Sequence, residues 1–340
     1  MWRCVIADSG MGFAVVGSSG HAARVAAPAI IGSALTRLAA VFGTTFEGAQ
    51  RLAATSPGAS AYTDLDAMLA DPTVTAVWIA GPNHLHADLA ERCLEAGRHV
   101  LVEKPLATTG ARATELASRA EEHGLHLGVD YQHRFRPGHL WMRDAIARGA
   151  VGTPHLVRIH RFWRYPYYPD MPASIAGSWR ESAADSGGWA LNDIGSHLVD
   201  LSLWLLGRPG RLVFAQTANH RFTETEAEDT AILVIDAPAE HSSATVVIDT
   251  SNAMDSDAGT VEVFGSDGWL RAQGTFDDDA VIRSADGREV RFTTTASDVY
   301  RSSLEDFVRR VADLSAVGAS GAEAARATAL IEEAVARGRG

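Results

Sequence analysis

The first 131 residues alternate short, almost unbroken apolar runs with longer stretches of helical period. Gly12 to Gly17 reads as a buried strand, and an Ala-rich helical stretch follows a Gly/Ser turn. Strands over Arg37–Phe42, Val74–Ala80, His99–Glu103 and Leu125–Tyr131 are each separated by helical patterns, at Phe46–Ala54, Leu65–Ala70, His84–Ala96 and Thr109–Glu122. Asp64 stands where an N-cap belongs, and Gly97 and Gly124 where helices stop. Strands that recur with helices between them require crossover connections and a mostly parallel sheet. Strands without polar alternation belong to a sheet covered on both faces.

After Tyr131 the rhythm changes. Helices are expected over Trp141–Arg148 and Asp193–Leu206, and a strand over His155–Arg164. A run of strands follows: Leu212–Asn219, Thr230–Asp236, Ala244–Thr250, Thr260–Phe264, Trp269–Ala272, Ala280–Arg283 and Glu289–Thr293. Turns such as Ser266-Asp267-Gly268 and Asp286-Gly287 between them imply antiparallel pairing. Two helices, Ser303–Leu314 and Glu323–Arg337, close the chain. The reading is an α/β protein with a dinucleotide-binding domain over 11–131 and a second domain over 132–340. Residues 1–10 do not fit the pattern and read as a disordered tail, the alternative being a natural start at Met11.

The turn after the first strand, Gly17-Ser18-Ser19-Gly20-His21-Ala22, places small residues where a pyrophosphate needs a tight bend and close backbone approach. The helix that follows would offer its free N–H groups to phosphate. Ser19 and Ala22 stand where a strict pattern has glycine, so a plain strand-to-helix turn is the competing reading. At the end of the second strand, Gly43-Thr44-Thr45 carries no acid to bind a ribose 2′-hydroxyl and no charge to repel a 2′-phosphate. The cofactor expectation is therefore NAD(P), with a lean to NADP.

Glu103-Lys104-Pro105 follows a strand, at the sheet end where ligands of open α/β sheets bind. Pro82, Asn83 and His86 follow another strand and suit the nicotinamide side, or else form a helix cap with surface histidines. Asp193 and His197 lie four apart, so a helix would put both on one face, with Asp200 continuing it. An imidazole beside a carboxylate makes a general base; an exposed ion pair is the plain alternative. A metal pair lacks a third ligand at known spacing. His133 and Arg134 lie where the two domains would meet, and Trp179-Arg180 is either a packing pair or a cofactor contact. Aromatic residues at Trp163, Tyr165, Tyr167 and Tyr168 could stack on a sugar face or pack an interface.

A formal net charge of −12 argues against a nucleic-acid partner, because that affinity comes from Lys and Arg neutralising phosphates. No run of about 18 apolar residues exists to span a membrane, and no signal peptide is recognisable. Two cysteines, Cys4 and Cys93, do not make a disulfide framework, so the expected compartment is the cytoplasm.

Taken in order, the small-residue turn, Pro-Asn-His-x-His, Glu-Lys-Pro, Tyr-Gln-His-Arg-Phe, Ser-Trp-Arg, Gly-Gly-x-x-Leu-x-Asp-x-Gly-x-His-x-x-Asp and Val-Phe-Gly-Ser-Asp-Gly resemble the glucose–fructose oxidoreductase / inositol dehydrogenase (Gfo/Idh/MocA) family, from about Met11 to Arg337. The resemblance implies a Rossmann domain and a C-terminal α/β domain with a large, open, mainly antiparallel sheet through which members form homodimers or homotetramers. It implies hydride transfer that interconverts a hydroxyl and a carbonyl on a sugar, cyclitol or related polyol. By motif, Lys104, Asp193 and His197 become the catalytic residues. The expected cofactor contacts are Gly17, Ser18, Ser19, His21, Ala22, Thr44, Pro82, Asn83, His86, Glu103, Lys104, Trp179 and Arg180. The expected substrate contacts are Lys104, His133, Tyr165, Asp193 and His197, with no metal. Trp189, standing where a third glycine is usual, is expected to narrow the pocket. An NAD-dependent glycosidase that oxidises, eliminates and re-reduces, and a non-catalytic nucleotide sensor, are the alternatives on the same fold.

Overall fold

The computed structural model describes residues 10–169, 171–254, 259–272, 280–284, 286–293, 297–314 and 316–338. Apart from Gly10, the expected tail over 1–10 lies outside them, as does Cys4. The first elements are β1 (Met11–Val16), α1 (Ala27–Gly32), β2 (Thr36–Phe42), α2 (Phe46–Ala53), β3 (Ser60–Tyr62), α3 (Leu65–Ala70), β4 (Ala76–Ile79), α4 (Asn83–Glu95), β5 (His99–Val102), α5 (Gly110–Glu122) and β6 (Leu127–Val129). There follow α6 (Pro137–Ala147), β7 (Pro154–Phe162), α7 (Ala183–Ser186), α8 (Ser196–Leu206), β8 (Arg211–Ala218), β9 (Thr230–Ala239), β10 (Ser242–Ser251), β11 (Thr260–Gly265), β12 (Gly268–Ala272), β13 (Ala280–Ser284) and β14 (Glu289–Phe292). The chain closes with α9 (Val299–Val311), β15 (Ala319–Ser320) and α10 (Gly321–Gly338). Two π-helical turns interrupt this series: Ala22–Ala26 runs into α1, and Leu191–Gly195 runs into α8.

Contacts divide the chain into two compact units. The first holds the described residues within 1–107, 111–132 and 298–325. Its sheet has the order β15-β6-β5-β4-β1-β2-β3, parallel except for β15 on the β6 edge. This is a Rossmann sheet. Strand order reverses between β1 and β4, and at such a point the loops beyond the strand ends part and leave a crevice for a ligand. Phe13, Val15, Trp78 and Leu101 pack one face.

The sequence boundary at 131/132 is redrawn by the return of 298–325 to this first unit. Left alone, β6 would present unpaired backbone and an apolar face. Ala319 pairs with Val129 and closes that edge, and α9 lays Phe307 edge-on against Phe13 with ring centroids 6.2 Å apart. Gly128 makes room for this helix, since a Cβ there would stand 2.9 Å from the Phe307 ring.

The second unit holds the described residues within 108–110, 133–297 and 326–340. Its sheet runs β14-β13-β12-β11-β7-β10-β9-β8 and is antiparallel apart from the β7–β10 pair. Alternation decides the faces. Leu233, Ile235, Val246 and Ile248 are buried, on the side where α8 packs over β7 and β10. Their alternates include the exposed Phe214 and Ile232.

Element boundaries moved where capping overrules periodicity. α6 begins at Pro137, a residue whose fixed φ suits the first helical turn. α9 begins at Val299 because Asp298 accepts from the Arg301 N–H. β3 and α7 are too short to leave a periodic signal. Among the described residues, no helix is long and apolar enough to cross a membrane.

Candidate active site

In the first unit, the turn after β1 is built by exclusion of side chains. Gly17 has φ 124°, and a Cβ on it would come within 2.9 Å of the Ala80 carbonyl oxygen and 3.0 Å of the Ala22 Cβ. Ala22, fully buried, closes the turn from the helix side, while Ser19 and Gly20 are exposed. Gly43 at the end of β2 is equally tight, as a Cβ there would lie 2.8 Å from the Ser18 Oγ. Thr44 is exposed beside it, and the Thr45 hydroxyl caps α2 by accepting from the Gly48 N–H at 3.2 Å.

His21, at the head of the turn's helix, places Nε2 3.0 Å from the Glu103 Oε1. The same carboxylate accepts the Trp78 indole N–H at 3.2 Å. Burial alone would raise the Glu103 pKa, but His21, then Lys104 and His86, outweigh it and hold the carboxyl below its usual range. Glu103 thus braces the turn from inside the protein. Lys104, the next residue, is half-buried.

His86 has another task than the expected cofactor contact. Its Nδ1 lies 2.7 Å from the Pro105 carbonyl oxygen and its Nε2 2.9 Å from that of Gly81. Both ring nitrogens face backbone carbonyls; a neutral ring donates to one of them, and the imidazole lies between the loop after β4 and the loop after β5. Burial pushes its pKa down, against the pull of those two carbonyls. Pro82 and Asn83 start α4 on the same loop, with Asn83 buried.

In the second unit, the π-turn Leu191–Gly195 carries Asp193 into α8. A π-turn is wider than an α-turn, so it changes the angle at which Asp193 leaves the helix relative to His197. Asp193 Oδ2 accepts the Tyr167 hydroxyl at 2.8 Å and the Trp189 indole N–H at 3.2 Å, and the Arg180 Nε stands 3.7 Å away. Burial and then the Asp193 charge push the Tyr167 hydroxyl well above its usual pKa, so it stays a donor. His197 is buried with its ring nearly perpendicular to that of His133, centroids 4.7 Å apart. Burial, then His197 and Arg136, hold His133 well below the usual histidine range. Asp200 is bound instead by Arg134, with Nε donating to Oδ2 at 2.8 Å in a buried two-point pair.

Two aromatic expectations change. Tyr165, expected at the substrate, is a core residue packed with Ile175, Trp189 and Ala227. Trp189 lies in the same cluster, so it reaches Asp193 from the core rather than narrowing a pocket. Trp163 and Tyr167 stack on each other at 4.6 Å. Trp179 and Arg180 pack on each other, guanidinium 4.3 Å over the indole, and the Arg180 Nε also stands 3.7 Å from Asp193. The sequence reading did not assign Asp193 these donors, because Tyr167 lies 26 residues away across irregular chain. Among the described residues, no three His, Cys, Asp or Glu side chains are grouped to hold a metal ion.

Residues 11–131 match the model of an oxidoreductase family with an NAD-binding Rossmann fold, and residues 139–271 match the Gfo/Idh/MocA C-terminal domain. The chain belongs to the Gfo/Idh/MocA family. Among curated relatives, 1,5-anhydro-D-fructose reductase of Ensifer adhaerens is 35% identical over 42% of this chain and 41% of its own. Inositol 2-dehydrogenase 1 of Saccharopolyspora erythraea is 28% identical over 78% of this chain and 75% of its own. For four of the relatives, the matched region spans 41% to 62% of their length. Among solved structures, aldose-aldose oxidoreductase from Caulobacter crescentus superposes with a TM-score of 0.83 at 22% identity, covering 97% of this chain and 98% of its own. A 3-ketoreductase from Actinomadura kijaniata, solved with NADP and TDP-benzene, gives 0.78 at 24% identity, covering 97% of this chain and 98% of its own.

The nucleotide turn of this Gfo/Idh/MocA chain fits a dinucleotide on its own geometry. A turn so tight that a Cβ at Gly17 would meet Ala80 and Ala22 stands at the head of a helix, beside the strand-order reversal. Replacing the usual glycines by Ser19 and Ala22 leaves it intact, because Ser19 is exposed and the small Ala22 side chain is buried.

Proposed function

We propose that this protein is an NAD(P)-dependent oxidoreductase that interconverts a hydroxyl and a carbonyl on a sugar, cyclitol or related polyol. Family membership supports the class of chemistry. Relatives named levoglucosan dehydrogenase and scyllo-inositol 2-dehydrogenase (NADP(+)) support the class of substrate. The observation that carries the reading is Asp193, a carboxylate held by Tyr167, Trp189 and Arg180 four residues before His197.

The groups assigned to the chemistry are Lys104, Asp193 and His197. When bound, the nicotinamide supplies the hydride acceptor or donor. In the oxidative direction a ring nitrogen of His197 takes the hydroxyl proton. Asp193 orients that imidazole and stabilises its charged form. The Lys104 ammonium stabilises negative charge as it develops on the substrate oxygen. His133, edge-on to His197, fixes the ring's orientation. Gly17, Ser18, Ser19, His21, Ala22 and Thr44 hold the nucleotide. NADP is the preferred form on this reading, because no carboxylate stands at the end of β2 to oppose a 2′-phosphate, and the contact of Gly43 with Ser18 leaves no room for a side chain there.

A panel of sugars and cyclitols run with NAD and NADP, followed by nicotinamide absorbance, tests the reading. Lys104→Ala is expected to lower kcat/KM by about a hundredfold or more with nucleotide still bound. Near-normal turnover in that variant would remove Lys104 from the mechanism.

A further inference from the structure

The first unit buries two carboxyl groups side by side. Val102 of β5 pairs with Val129 of β6, so Glu103 and Asp130, the next residues of parallel strands, project from the same face. The Asp130 N–H donates to the Val102 carbonyl at 2.9 Å and fixes this register. Asp130 is fully buried and Glu103 nearly so. Their surroundings differ sharply. Glu103 is met by the Trp78 N–H and by His21. Among the described residues, neither carboxyl oxygen of Asp130 has a hydrogen-bond partner at bonding geometry. The groups that act on Asp130 are Glu103, the Ser303 hydroxyl of α9 and Lys104, while His21, Lys104 and His86 act on Glu103. Two adjacent buried carboxylates cannot both stay ionised without a large cost.

We propose that this pair carries one proton, held by Asp130, and that Asp130 is a positioning residue which leaves Glu103 as the anion gripping His21 at the head of the nucleotide-binding helix. Burial and then the Glu103 charge hold the Asp130 carboxyl well above the usual carboxylate range. The sign of the effect follows. Below about pH 4 the acid is protonated in folded and unfolded chains alike. Above it the unfolded chain gives up the proton and the folded chain keeps it, so this group's contribution to stability falls as pH rises. Once Asp130 ionises, a second negative charge beside Glu103 disturbs the grip on His21.

Asp130→Asn presents a neutral amide that has no proton to lose. The variant is expected to melt with the wild type near pH 4, to melt higher at about pH 8, and to show a flatter dependence between them. Infrared spectra of the wild-type protein near neutral pH are expected to show a protonated-carboxyl band that the variant lacks. The positioning role rests on the nucleotide-binding reading above, and its test is a pH profile. NADPH affinity of the wild type is expected to fall as pH rises through the ionisation of Asp130, and that of Asp130→Asn is not. Glu103→Gln, which weakens the contact with His21, is expected to lose about tenfold in NADPH affinity. A melting curve of Asp130→Asn parallel to or below the wild type at about pH 8 would overturn the proton assignment. So would the absence of the infrared band from the wild-type protein, which decides the matter even if the variant does not fold. Parallel NADPH profiles would overturn the positioning role. Melting and infrared need no ligand, so a wild-type protein that binds no nucleotide strikes the functional reading alone.

Discussion

Asp193 is tied by side chains that no local pattern connects to it. Tyr167 comes from the irregular chain after β7, Arg180 from the loop before α7, and Trp189 from the aromatic cluster beneath. Each donates to, or stands beside, the same oxygen, so the carboxylate is held in orientation as well as in charge. Tyr167→Phe removes one donor and keeps the ring that stacks on Trp163. We expect kcat/KM to fall about tenfold, the value of one hydrogen bond to a charged group, with little change in melting temperature. Steady-state kinetics on a substrate found in the panel, beside a melting curve, check this. Unchanged kinetics would mean that the Asp193 orientation does not matter to turnover. The tight turn at Gly17 was legible from the sequence because it follows a recognisable strand, whereas Glu103, expected at the cofactor, braces His21 from within the unit. His86 and Tyr165 were not legible either, since the choice between a ligand contact and an internal brace depends on neighbours distant in the chain.

Among the elements, the alternation of apolar strand and amphipathic helix identified β1, β2, β4, β5 and β6 with the helices between them, and caps at Asp64 and Gly97 located two helix ends. The two π-turns left no trace in the periodicity, because one extra residue in a turn does not alter composition. Nor did the pattern of α9 reveal its partner. An apolar stripe says that a face is buried, and tertiary packing alone says against what. Here the stripe meets β1 and β6: Phe307 lies against Phe13 and over Gly128. Phe307→Ala is expected to destabilise the protein by about 3–5 kcal/mol through the lost ring and the cavity left behind. Denaturant unfolding measures it, and a loss below about 1 kcal/mol would show that α9 is not part of the first unit's core.

For the whole molecule, the sequence pattern separated a parallel sheet from a mainly antiparallel one, and both sheets are present. It drew a single boundary because sequence order is its only ruler, whereas contacts assign 298–325 to the earlier unit. The outer face of the second sheet carries Phe214 and Ile232, which are 46% and 41% exposed. We propose this face as the contact of a homodimer or homotetramer. Ile232→Lys is expected to yield a smaller species by light scattering with the fold preserved in circular dichroism. A wild-type protein that is already monomeric would end that proposal.

The antiparallel pairing of Ala319 with Val129 also sets a timetable for synthesis. On a ribosome adding about 5–20 residues per second, β6 emerges on the order of ten to forty seconds before the strand that closes its edge. During that interval the nascent sheet has an open edge and lacks the helix that seats Phe307 on Phe13. The unit whose strands leave the ribosome ahead of the second sheet is therefore completed after it, and the unfinished edge is where a chaperone has most to protect.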